Sequence, residues 1–116
     1  MKKISFIFLL FLFVSCEAVF VEDISTDRVV TLAPTENSTV ASGNITFSWQ
    51  LLDEADMYQI QIATPTFESA SQIVLDSVVD SNSAQKMLDV GEYQWRIKGM
   101  NSEYETNYTT VSFTVN

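Results

Sequence analysis

The sequence predicts an all-β sandwich, and three observations predict it. Apolar and polar residues alternate along several short runs, the runs recur at intervals of about ten residues, and no segment carries a sustained helical stripe. Alternation of period two is what a strand needs when one face meets a core and the other meets water. Two such sheets, packed face to face, close one compact core from their inner faces.

The elements follow in order. Residues 29–32 give a first β-branched run. Ile45, Phe47 and Trp49 then alternate with Thr46 and Ser48, and Tyr58, Ile60 and Ile62 alternate with Gln59 and Gln61. Residues 73–79 are β-branched, and 84–88 form a shorter run. In 93–99, Tyr93, Trp95 and Ile97 share one face, and Val111, Phe113 and Val115 alternate with Thr110, Ser112 and Thr114. That makes seven strands. Trp49 and Trp95 fall on the apolar phase of their runs and are assigned to the core.

Ahead of this domain lies a segment of a different kind. Lys2 and Lys3 open the chain with positive charge, and residues 4–14 form an apolar run interrupted only by Ser5. Its length suits the core of a secretion signal. A membrane-spanning helix needs roughly twenty apolar residues, about twice as many. The run ends in Phe13-Val14-Ser15-Cys16, and Cys16 is the single cysteine of the chain. It has no disulfide partner within the protein, and a lone thiol in an oxidising compartment calls for something that consumes it.

A small residue and a cysteine placed after an apolar stretch resemble the lipobox of bacterial lipoproteins. The resemblance implies cleavage after residue 15 and lipid attachment at Cys16, with acyl chains of the palmitate type. Each buried methylene contributes about 0.8 kcal/mol, so two or three chains hold a protein on a membrane where one is marginal. The expected organisation is a signal peptide at 1–15, an acidic flexible tether at 16–28 and the sandwich at 29–116. Glu17 after the cysteine resembles the sorting pattern of proteins released to the outer membrane. The expected location is therefore the outer membrane, on its periplasmic or its exposed side.

The sandwich residues carry a second resemblance. Leu32-Ala33-Pro34, Ile45-x-Phe47-x-Trp49, Ala55-x-x-Tyr58-x-Ile60 and Leu88-x-x-Gly91-x-Tyr93-x-Trp95-Arg96-Ile97, followed by Asn101, together resemble an immunoglobulin-like domain of the fibronectin type III kind. Leu88, Gly91 and Tyr93 resemble the tyrosine corner, in which the phenol bonds backbone a few residues upstream.

Composition excludes more than it assigns. The cleaved chain keeps four basic residues (Arg28, Lys86, Arg96, Lys98) against fifteen acidic ones, a formal net charge of −11. Nucleic acid is not an expected partner, because its phosphates need a basic face. The chain has no histidine, the commonest general base and zinc ligand, and three glycines without a glycine-rich loop. No enzyme activity and no cofactor are expected.

Two loop features remain as candidate sites. Asp53, Glu54 and Asp56 lie between the second and third strands, and Glu103 and Glu105 lie between the last two; the fold brings these loops to one end. Converging carboxylates can hold Ca²⁺, which takes six to eight oxygen ligands. The alternative is that they are solvated loop charges. Among the aromatic residues, Tyr104, Tyr108 and Phe67 are the ones placed for exposure, and Tyr104 and Tyr108 are candidate ligand contacts. Two functional classes stay open: a binding module for a glycan or protein partner, and a structural spacer or accessory subunit of an outer-membrane complex. With the last strand ending next to Asn116, a single module has nothing of its own to space, which favours binding.

Overall fold

A computed structural model describes residues 20–116. The expected signal peptide at 1–15 and Cys16 lie outside the described residues. The chain runs through β1 (Thr31–Ala33), β2 (Ser38–Val40), β3 (Gly43–Trp49), β4 (Met57–Thr64), β5 (Gln72–Val79), β6 (Ser83–Leu88), β7 (Gly91–Met100) and β8 (Thr109–Val115), with no helix among these residues. One sheet has the order β1-β3-β6 and the other β2-β8-β7-β4-β5. The fold is a β-sandwich of the fibronectin type III type.

Seven strands were expected and eight are present: the added one is β2, a three-residue strand that follows the first run after Pro34. Pro34 has no N–H with which to continue a ladder. Up to that point β1 pairs antiparallel with β3; beyond it the chain crosses to the other sheet, where β2 runs parallel to β8. The turn between them uses Asn37 at φ 61°, a left-handed conformation that asparagine tolerates better than most residues. The remaining strands pair antiparallel, β3 with β6, β4 with both β5 and β7, and β7 with β8. A bulge near Ile62 and Ala63 shifts the β4–β5 register by one residue.

The core follows from the alternation. Phe47, Trp49, Tyr58, Ile60, Ile62, Trp95, Ile97, Phe113 and Val115 are buried between the sheets. Burying each side chain of this size contributes about 1.5–3 kcal/mol. Phe47 from the small sheet meets Trp95 edge-on, with ring centroids 5.3 Å apart, and Trp49 leans against Tyr58 at 5.9 Å. Cross-sheet aromatic pairs of this kind fix how the two layers sit on each other. The Trp95 Nε1 donates to the Pro34 carbonyl at 3.2 Å, whereas the buried Trp49 Nε1 has no acceptor. At the other end of β7 the Tyr93 hydroxyl donates to the Asp89 carbonyl at 2.9 Å, the geometry of a tyrosine corner.

The stretch expected to be a flexible tether is corrected over its second half. Ile24 is fully buried and Val29 nearly so. A tight turn, closed by Asp27 N donating to Ile24 O at 2.9 Å, folds the segment onto the domain. The Asn101 side chain holds it there by donating to the Glu22 carbonyl at 2.9 Å. A single apolar residue in an acidic stretch is enough to dock it, because the pocket it fills excludes water from its whole surface.

Candidate functional site

Two regions bring together the residues singled out in the sequence. The first is the end of the sandwich where the β3–β4 and β7–β8 connections meet. They are packed tightly: a Cβ added to Gly99 would lie 3.3 Å from Ala55 Cβ and 3.4 Å from Leu52 Cδ2, so the residue at the end of β7 must be small. The Tyr58 hydroxyl accepts from Leu52 N at 2.7 Å and fixes the start of the β3–β4 connection.

Asn101 then ties the two loops together. Its Oδ1 accepts from Glu103 N at 3.0 Å and Tyr104 N at 2.8 Å, and its Nδ2 donates to Glu54 O at 3.1 Å as well as to Glu22 O. Thr106, buried, takes the Gly99 N–H on its hydroxyl at 3.1 Å and donates to Asn107 O at 2.8 Å. The loops meet at one end, as expected, and the Asn101 amide joins them. Among the described residues no three acidic groups converge as metal ligands. Glu105 instead pairs with Lys98 at 2.7 Å. Asp53, Glu54, Asp56, Glu103 and Glu105 stand on these two connections, and the group at the junction that accepts and donates is Asn101. Tyr104, half-buried, lines a shallow open recess with Met100, Asn101, Glu103 and Glu105.

The second region is the outer face of the five-stranded sheet. Along β7 the even-numbered side chains point outward, so Gln94, Arg96 and Lys98 stand in a row, with Gln61 opposite Arg96 on β4 and Thr110 opposite it on β8. Tyr108 stands immediately before β8, one position further along. Phe67 arrives from the β4–β5 connection, anchored where its backbone N–H donates to Gln94 Oε1 at 2.9 Å. The Gln94 amide is held in turn by donating to Ser112 Oγ at 3.0 Å.

These placements converge on Arg96. Its guanidinium carbon lies 4.1 Å from the Phe67 ring centroid and 4.2 Å from that of Tyr108, and its Nε donates to Gln61 Oε1 at 2.8 Å. Lys98 Nζ lies over the same Tyr108 ring at 4.9 Å. Each cation–aromatic contact contributes about 0.5–1 kcal/mol at a partly exposed position. Together with the Gln61 bond they hold a long, otherwise mobile side chain in one pose. Of the two candidate tyrosines, Tyr108 belongs to this cluster and Tyr104 does not. Arg96 itself was not singled out: its alternation phase marks it as outward, but nothing local in the sequence says that rings from two distant loops would enclose it.

No protein-family model matches the chain, and no curated protein is similar to it in sequence. Solved structures share its fold. The fibronectin(III)-like modules of CbhA from Clostridium thermocellum match at a TM-score of 0.56 and 10% identity, over 76% of this chain and 95% of theirs. A fibronectin type III domain of the human KIAA0970 protein matches at 0.57 and 10% identity, over 82% of this chain and 77% of its own. The domain from human fibronectin type III domain containing protein 3 matches at 0.52 and 16% identity, over 78% and 86%. At these identities the likeness establishes the fold alone.

Proposed function

We propose that this protein is a lipoprotein, attached through lipid on Cys16 to the outer membrane, whose sandwich is a non-catalytic binding module for a glycan or protein partner. The placement rests on the signal-like segment and the solitary Cys16. The binding role rests on one observation: the outer sheet face carries Arg96 fixed between Phe67 and Tyr108, although a solvent-facing strand position needs no such enclosure for the fold to form. Fixing a rotamer-rich side chain in the free protein removes an entropy cost that binding otherwise carries, about 0.5–1.5 kcal/mol. Loops and faces on a rigid scaffold are where recognition is carried.

The test is recovery of partners from detergent-solubilised membranes with the tagged protein, its Arg96→Gln variant and a version keeping only the segment through residue 28. Partners recovered by the intact protein and lost in the other two support the reading. The same partners recovered by all three would instead make the sandwich a spacer. The anchor is tested separately: an alkyne fatty acid is expected to label the parent and not Cys16→Ala, and equal labelling of both would sink the lipid assignment.

A further inference from the structure

Resting on the binding role proposed above, we infer that the Arg96 site takes the carboxylate of an otherwise neutral saccharide. The argument begins with what Arg96 lacks. The described residues include fourteen carboxylate side chains and one ion pair, Lys98 with Glu105. In a chain this acidic Arg96 is nonetheless without a carboxylate partner among those residues, and its one hydrogen bond there uses Nε. A guanidinium has five N–H donors in a rigid fork. With Nε held by Gln61, and the Phe67 and Tyr108 rings 4.1 Å and 4.2 Å from the guanidinium carbon, the donors left are the two Nη groups, whose shared edge can bind a carboxylate through two parallel bonds.

The surroundings favour a sugar over a protein surface. The nearest outward neighbours of Arg96 along and across the strands are Gln94, Lys98, Gln61 and Thr110, all polar. Beside them the Phe67 and Tyr108 rings lie 4.1 Å and 4.2 Å from the guanidinium carbon, so aromatic surface and hydrogen-bonding groups alternate over a short span, as the two sides of a sugar ring require. Amides and hydroxyls match the alternating donors and acceptors of sugar hydroxyls, and the outer edges of Phe67 and Tyr108 add apolar surface for the ring carbons.

Charge then narrows the ligand further. The formal net charge of the chain from Cys16 onward is −11. A chain of many carboxylates is repelled by that field, while a single carboxylate seated on Arg96 meets a guanidinium that no carboxylate of the described residues pairs, Lys98 being matched by Glu105. The ligand class is a neutral glycan with an isolated acidic sugar.

The experiment titrates the detergent-solubilised full lipoprotein with cellobiouronic acid and with cellobiose, which differ only in one carboxylate, and with the peptide Gly-Glu-Gly. Proton–nitrogen NMR follows the Arg96 Nε–H signal and the backbone amides. The expected result is saturable movement of Arg96, Phe67 and Tyr108 signals with cellobiouronic acid, at least tenfold weaker binding of cellobiose and of the peptide, and at least tenfold loss in Arg96→Gln. Arg96→Lys keeps the charge without the fork and is expected to lose binding too; the amide spectrum of each variant verifies that it folds.

Equal binding of the two disaccharides overturns the carboxylate assignment and leaves the recognition face standing. Equal binding of the peptide overturns the saccharide assignment. If no probe moves the face while membrane partners still depend on Arg96, this inference fails and the binding role survives; if neither depends on Arg96, both fail.

Discussion

The indole of Trp95, in the middle of the five-stranded sheet, donates its N–H to the carbonyl of Pro34 at 3.2 Å, at the point where the chain leaves the three-stranded sheet. The bond pins the crossing strand to the core. Trp49, equally buried, has an indole N–H without an acceptor. Replacing each by phenylalanine therefore separates polar from apolar contributions. Trp95→Phe loses volume and leaves a buried carbonyl without its donor, which costs about 1–3 kcal/mol beyond the cavity. Trp49→Phe loses similar volume but removes an unsatisfied donor. Urea denaturation is expected to place Trp49→Phe above Trp95→Phe in midpoint, with unchanged slopes; the reverse order would show that the Pro34 bond contributes nothing.

Tyr93 makes a simpler case. Its hydroxyl donates to Asp89 O, and its ring stacks on Phe113 with centroids 5.7 Å apart. Tyr93→Phe keeps the stacking and removes the bond, so stability should fall by about 0.5–1.5 kcal/mol. Thermal unfolding checks this, and a variant as stable as the parent would assign the corner to packing alone.

The amino-terminal segment belongs to the folded unit from Glu22 onward. Ile24→Ala is expected to cost about 2–4 kcal/mol, as for other fully buried aliphatic residues. Asn101→Ala should release the same segment, leaving Glu22 O and Glu54 O without their donor. Hydrogen exchange would show this as faster exchange at Asp27, whose amide closes the turn, in both variants. Slow exchange at Asp27 in Ile24→Ala would mean that the turn holds without its docking.

Asp23 gives the structure a local response to acid. Ser25 donates to its Oδ1 through the hydroxyl at 2.6 Å and through the backbone N–H at 2.9 Å, and these bonds hold the carboxyl below its ordinary value of 3.8. A depressed value in the folded chain means that the turn is fully supported above the ordinary carboxylate range and loosens as pH falls through the lower, folded value. The Ser25 amide shift should titrate with a midpoint below 3.8. Asp23→Asn should abolish that titration.

Much of this fold can be read from alternation, and the reasons for the exceptions are physical. Tyr58, Ile60 and Ile62, or Tyr93, Trp95 and Ile97, announce their inward face because every second residue is apolar over a run long enough to be unambiguous. β2 has only Ser38, Thr39 and Val40, too short for a period, and its pairing partner on β8 lies more than seventy residues away. Ile24 is a lone apolar residue whose burial depends on a pocket the sequence around it does not describe. The Arg96 cluster draws one residue from a strand, one from a connection and one from a strand's threshold. Alternation places Arg96 outward, but the distances to Phe67 and Tyr108 come from tertiary structure.

The Asn101–Glu22 bond also sets which end of the domain the proposed anchor holds. Five residues lie between Cys16 and Glu22, and six residue steps reach at most about 20 Å even when fully extended. With acyl chains on Cys16, a domain gripped at Glu22 hangs by the end that carries the β3–β4 and β7–β8 connections. Under the attachment proposed above, that end is the one held nearest the membrane, and the strands of the sheet bearing Arg96 run away from it.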